Sequence, residues 1–265
     1  MGGIFSAEPG AIVFSEFSPL HWSVLAVVAA AIALTVGFRR RLRESPGLRR
    51  VVPIACLAVA WALEIAYHVW TYVNDLDFWF NFVPLELCGI SLWLAIALVI
   101  TRSRAVFEIY YFLSVGALMA LLFPAFGGYG PDHVRFWHFF FVHAFVLWLM
   151  VWFLSVEQCR LRRSAFLRLL AWATPVALLV RLVDWKFGVN YMYLQGPSAT
   201  ASPLDVLGSP PWYFVNLLAL ALVIFFIMFL VAPKDPRVKA ADVGQPSEPV
   251  QSGSDNGGKT PSGVM

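Results

Sequence analysis

Residues 19–43 read PLHWSVLAVVAAAIALTVGFRRRLR. From Pro19 to Phe38 there is no Asp, Glu, Lys or Arg, and the run matches the about 20 helical residues needed to cross a roughly 30 Å hydrocarbon core. The charge comes afterwards, at Arg39, Arg40, Arg41 and Arg43. A secretory leader carries its positive charge ahead of the apolar core, so this stretch is read as a retained helix. Basic residues stay on the cytoplasmic side, which places the end of that helix inside.

Six further apolar runs follow, over about 51–72, 83–101, 105–124, 134–155, 165–186 and 211–232. The whole chain is 60% hydrophobic and 13% charged, with a mean hydropathy of +0.72. Soluble chains run about 45–50% apolar and about 25% charged. Runs this long must satisfy their own backbone hydrogen bonds in lipid, so they are helices and not the short alternating strands of a barrel. The expected fold is all-α: a polytopic membrane helix bundle of about seven transmembrane helices over residues 1–232. Residues 233–265, rich in Gly, Ser and Pro, are expected to form a disordered cytoplasmic tail.

Charge fixes the orientation. Arg39, Arg40, Arg41, Arg43, Arg49, Arg50, Arg102, Arg104, Arg160, Arg162, Arg163, Arg168, Lys234, Arg237 and Lys239 fall on one set of connections. The alternate set holds only Arg135 and Lys186. Fifteen against two puts the N-terminus outside and the C-terminus inside. No internal repeat is visible, which weakens a transporter built from inverted halves. No basic patch interleaved with exposed aromatics suggests nucleic acid. The odd set Cys56, Cys88 and Cys159 contains no CxxC spacing, so neither a disulfide framework nor a thiolate metal site is indicated.

Polar residues inside a span are costly and are functional candidates by default. Glu64 and His68 are four apart, on one helix face, in the outer half of the second span. Glu86 and Cys88 open the third span, with Pro84 suited to its first position. His138 lies about one turn, and His143 two to three turns, into the fifth. Asp184 closes the sixth, where Arg181 three residues earlier is expected to pair with it. Glu108 is the exception, on the cytoplasmic side. A long connection from 187 to 210 contains Asn190, Tyr191, Met192, Tyr193 and Leu194 and is expected to fold back on the bundle. All these groups but Glu108 converge on one polar cavity facing the outer leaflet.

Blander readings stand beside that one. Cys56, amid Ala and Leu, reads as a packing residue, and Cys159 in its basic connection as incidental or a palmitoylation site. The Glu64/His68 pair could be interhelical glue, and His133 and His138 could merely sit at the lipid interface among aromatics. His143, flanked by Phe139, Phe140, Phe141, Phe145 and Trp148, is too deep for that.

Three functions fit such a cavity. A thiol and an imidazole make an acyl-transfer nucleophile, with Cys88 attacking a lipid ester and His143 as general base. Glu64, His68, Glu86, His138, Asn190 and Tyr191 would then contact the substrate. Alternatively His68, His138, His143 and Glu64 could hold a zinc ion for lipid hydrolysis, although no HExxH-like spacing supports it. The third is a non-enzymatic transporter or binding protein. The first implies no cofactor and no metal, and membrane lipid as the partner; the oligomeric state is not legible.

Pro84-Leu85-Glu86-Leu87-Cys88, Phe107-Glu108, Tyr111-Phe112, Gly116-Ala117, Pro124, His138-Phe139-Phe140 with His143, Asn190-Tyr191-Met192-Tyr193-Leu194 and Pro211-Trp212-Tyr213 follow one another in an order that resembles the YwaF family of bacterial integral membrane proteins. That family is distantly similar to a eukaryotic transmembrane acyltransferase family implicated in remodelling ether phospholipids. The resemblance implies roles for Cys88 and His143, and a multi-pass location in a plasma membrane, the bacterial inner membrane. Its members more usually carry His at the position of Glu86.

Overall fold

The computed structural model of the chain describes residues 3–76, 78–197 and 202–235. Among these the ordered elements are helices, joined by two isolated bridges, Val13 to Tyr129 and Leu161 to Lys234. They run α1 (Pro19–Gly37), α2 (Arg39–Glu44), α3 (Pro46–Val73), α4 (Phe78–Phe82), α5 (Leu87–Thr101), α6 (Arg104–Leu122), α7 (Val134–Ser155), α8 (Ala165–Phe187) and α9 (Trp212–Val231). Single turns of 3-10 helix cover Tyr191–Tyr193 and Pro203–Leu207.

Local chemistry explains the helix ends. Ser18 caps α1 by accepting the His21 N–H, with Pro19 in the first turn, where its missing N–H is no loss. Gly188 ends α8 at φ 67, a left-handed conformation that costs a glycine little. Pro53 and Pro175 lie inside α3 and α8, as neighbouring helices in a membrane bundle allow.

Six helices, α1, α3, α6, α7, α8 and α9, are long and apolar enough to cross a membrane. The other expected span falls on α5, which has 15 residues. It starts at Leu87 and not at Pro84, because Glu86 is extended (φ −73, ψ 148) and turned towards the 190–194 loop.

The centre is the α6–α7 pair, whose apolar stretches are each half buried. Phe107, Tyr110 and Phe112 meet Val146, Leu149, Trp152 and Phe153 in one core, and the Tyr110 hydroxyl donates to Val146 O at 3.0 Å. Helix α9 packs Phe225, Met228 and Phe229 on that core and turns Leu222, Val223, Phe226, Ile227 and Leu230 outward. That inverted pattern fits lipid as the solvent. Between lipid-bathed helices the hydrophobic effect supplies little, so close packing and polar pairs hold the bundle together.

Each end of the bundle has its own fastening. At the α3–α7 junction an N-terminal strap lies across the helices. Trp70 Nε1 donates to Ser6 O, His133 Nε2 lies 2.8 Å from the same oxygen, and Tyr129 Oη donates to Ala7 O. Gly130 sits so close beneath this strap that a Cβ there would come within 1.9 Å of Ile12 O. His133 is buried among protein groups, and its Nδ1 caps α7 by accepting the Arg135 N–H.

At the opposite end, buried Glu108 takes the Arg162 backbone N–H and both arms of its guanidinium at 2.8 Å. Glu157 is gripped by Arg49 and Arg102. Residues 233–235 belong to this fastening: Leu161 N donates to Pro233 O, and Asp235 pairs with Arg104. The remainder of the expected tail, from 236, lies outside the described residues.

Candidate functional site

The two faces that meet between α3 and α7 carry a connected set of polar side chains. Glu64 Oε2 lies 2.7 Å from His138 Nε2, and Glu64 Oε1 lies 3.3 Å from His68 Nε2. Arg135, one turn before His138, places Nη1 2.9 Å from His138 Nδ1. Tyr67 stacks on the His138 ring, centroids 4.2 Å apart and nearly parallel, and the Arg135 guanidinium lies 4.5 Å over the Tyr67 ring. The Tyr67 hydroxyl donates to Asn81 Oδ1.

Donor logic assigns the protons. A guanidinium only donates, so His138 Nδ1 accepts, and Nε2–H then donates to Glu64. Both nitrogens of His138 are committed, and both oxygens of Glu64 are shared with imidazoles. His143 differs. Its Nδ1 lies 2.6 Å from Phe139 O, and a carbonyl can only accept, so Nδ1 carries the hydrogen. In the neutral ring the Nε2 lone pair is left unengaged among the described residues. That is the tautomer a general base requires.

A second group gathers where the 188–197 segment folds back on the bundle, as the sequence led us to expect. Asp184 Oδ1 accepts the Tyr191 N–H at 2.9 Å, and Glu86 Oε2 accepts the Met192 N–H at 3.0 Å. Tyr191 is buried, stacks on Phe80 and donates its hydroxyl to Phe80 O. Asn190 holds the loop's own shape, donating to Gly196 O and accepting from Gln195 N. The expected Arg181–Asp184 pair is not formed, because Asp184 is occupied by the loop and the Arg181 guanidinium lies over Phe214.

Cys88, in the first turn of α5, lies within electrostatic reach of Glu86 and Glu64. His143 lies within reach of His138, Arg135 and Glu64. Glu64 makes its side-chain contacts to His138 and His68. Among the described residues no hydrogen bond joins Cys88 to His143, and Cys88 is a free thiol.

Two grooves are prominent. One of about 490 Å³ runs beside Asp184, Trp185 and Asn190. The other, about 440 Å³, lies among α1, α2, α3 and α7 and includes Arg41, Cys56, Trp148 and Trp152. Cys88 and His143 line neither. Among the described residues no group of three or more His, Cys, Asp or Glu is arranged to hold a metal ion.

Tyr67 and Arg135 are absent from the sequence-derived list. Their signal was local spacing: Tyr67 follows Glu64 by three, and Arg135 precedes His138 by three, each on a shared helix face.

Against this geometry, the family model described as the TMEM164 family matches residues 16–229. Neither the curated proteins nor the solved structures contain a match.

Proposed function

This chain belongs to the TMEM164 family, and from that premise we propose that it transfers acyl groups between membrane lipids through Cys88, with His143 as the base. The supporting observation is the His143 tautomer: Nδ1–H is anchored on Phe139 O, leaving Nε2 to accept a proton. His138 is the weaker base candidate, since Arg135 and Glu64 use both its nitrogens.

In the first half of the cycle His143 Nε2 takes the Cys88 proton and the sulfur attacks the ester carbonyl of a donor lipid. The carbonyl carbon–oxygen bond to the alcohol breaks, the imidazolium returns its proton to the departing oxygen, and a thioester remains on Cys88. In the second half a lipid hydroxyl attacks the thioester, gives its proton to His143, and the thiol is regenerated. With water as the acceptor the same cycle is ester hydrolysis. Cys88 and His143 approach one another when substrate fills the site, as catalytic hydrogen bonds often do.

The loop around Asn190 and Tyr191, held by Glu86 and Asp184, closes over this end of the bundle, and the Glu64–His68–His138 group lines the substrate side. In the membrane arrangement we propose, α5 completes a seventh crossing. Its helix spans about 22 Å, and the non-helical residues 83–86 ahead of it supply the rest. The N-terminus and the site face the extracytoplasmic leaflet of a plasma membrane, and the chain beyond α9 lies on the cytoplasmic side.

The test is intact-mass spectrometry of the purified protein after exposure to phospholipid. A hydroxylamine-labile acyl adduct is expected in the wild type, Cys56→Ala and Cys159→Ala, absent in Cys88→Ala, and slow to form in His143→Ala. Undiminished acyl exchange between labelled phospholipids in Cys88→Ala would refute the reading.

A further inference from the structure

Asp184 carries an anomaly that its role as a loop anchor leaves unexplained. The residue is 0% exposed and uses one oxygen, Oδ1, to hold the Tyr191 N–H. The other, Oδ2, is buried with no hydrogen-bond partner. A buried carboxylate oxygen left bare is costly, and native proteins normally pair such an atom with protein, water or ligand. Asp184 lines a groove of about 490 Å³ whose walls also include Trp185, Gly188, Asn190 and Gln195.

We infer that this groove, between the last turn of α8 and the 188–196 loop, binds a primary ammonium group on Asp184 Oδ2. The local charge favours a cation. The nearest cations on the same helix make no hydrogen bond to Asp184, and Arg181 Nη1 is itself buried without a partner among the described residues. Arg181 is within electrostatic reach but lies against Phe214, and Lys186 is drawn to the Phe187 ring. Among the described residues neither forms an ion pair with Asp184.

The free oxygen requires a donor, which separates the candidate ligands. A primary ammonium offers three N–H groups, one for Oδ2. A quaternary ammonium has none, and an anion is repelled. Trp185 supplies an aromatic wall against which a cation is further stabilised. Two sources carry this chemistry, the ethanolamine headgroup of a phospholipid and a water-soluble amine. The inference does not depend on chemistry at Cys88, and its readout is binding, so the two readings fail separately.

The experiment uses the full chain in lipid nanodiscs and counts retained lipid by native mass spectrometry. Phosphatidylethanolamine is expected to be retained about tenfold or more over phosphatidylcholine, the discrimination of a charge-assisted hydrogen bond. Asp184→Asn keeps an oxygen for the Tyr191 N–H but removes the charge. It is expected to abolish the preference while leaving the melting temperature in phosphatidylcholine nanodiscs unchanged. A melting shift with free ethanolamine in phosphatidylcholine nanodiscs would identify a soluble amine as the source; a response to the lipid alone would identify the headgroup. Equal retention of both lipids by the wild type with no response to ethanolamine, or an intact preference in Asp184→Asn, would overturn the inference. The wild-type comparison stands even if the variant is unstable.

Discussion

Replacing Glu64 by alanine takes the acceptor away from two imidazoles at once, and the geometry sets the cost. The His138 contact is 2.7 Å between side chains 8% and 17% exposed, so both partners are largely removed from water. The His68 contact, at 3.3 Å, is longer and weaker. Interhelical hydrogen bonds in membrane proteins average about 0.6 kcal/mol in double-mutant cycles, and a charged partner roughly doubles a bond's worth. The coupling between Glu64 and His138 is therefore expected at about 1–2 kcal/mol. The clean partner substitution is His138→Phe, because phenylalanine keeps the ring stacked on Tyr67 and deletes only the polar contacts. Unfolding would be followed in detergent micelles for the wild type, Glu64→Ala, His138→Phe and the double variant. Glu64→Ala paired with Glu157→Gln serves as control, since Glu157 pairs with Arg49 and Arg102 at the opposite end of the bundle, and should be additive within about 0.5 kcal/mol. A Glu64–His138 coupling below that control value, with all variants folded, would refute the pairing that organises the site.

Two further outcomes follow from the two ends of the bundle. Gly130→Ala should drive a methyl group into Ile12 O, 1.9 Å away. It is expected to release the N-terminal strap, read as faster hydrogen exchange over residues 3–14 than in the wild type; unchanged exchange would show that the strap yields without cost. At the other end, burial raises the Glu157 carboxyl, but the Arg49 hydrogen bonds and the Arg102 and Arg49 charges outweigh it and hold it below the ordinary carboxylate range. A group lowered on folding contributes its stability above its unfolded pKa and loses it as pH falls through the folded one. Between about pH 6 and 3, the melting temperature should fall more steeply for the wild type than for Glu157→Gln; parallel curves would show that the ion pairs add nothing.

The order of apolar runs and arginines was enough to read the helices, because length and hydropathy are properties of one segment at a time. The same holds for Glu64 and His68, whose four-residue spacing forces them onto one face whatever surrounds them. The return of the 190–194 segment was legible from its aromatics and its length. Spacing failed where a third element competes. Arg181 and Asp184 share a face, yet the Tyr191 N–H claims the carboxylate and Phe214 the guanidinium. Pro84 marked a helix start, yet Glu86 stays extended because its carboxylate holds Met192 N. Spacing put Tyr67 beside Glu64 and Arg135 beside His138, but that these two faces meet could not be read, since depth along each helix says nothing of rotation about its axis. In lipid the hydrophobic effect does not choose that rotation: every apolar face is equally content, and only packing and polar pairs tell one face from another. The sequence by itself determined which segments are membrane-length helices, whereas only the tertiary structure decided which side chains meet and which nitrogen of His143 is left open.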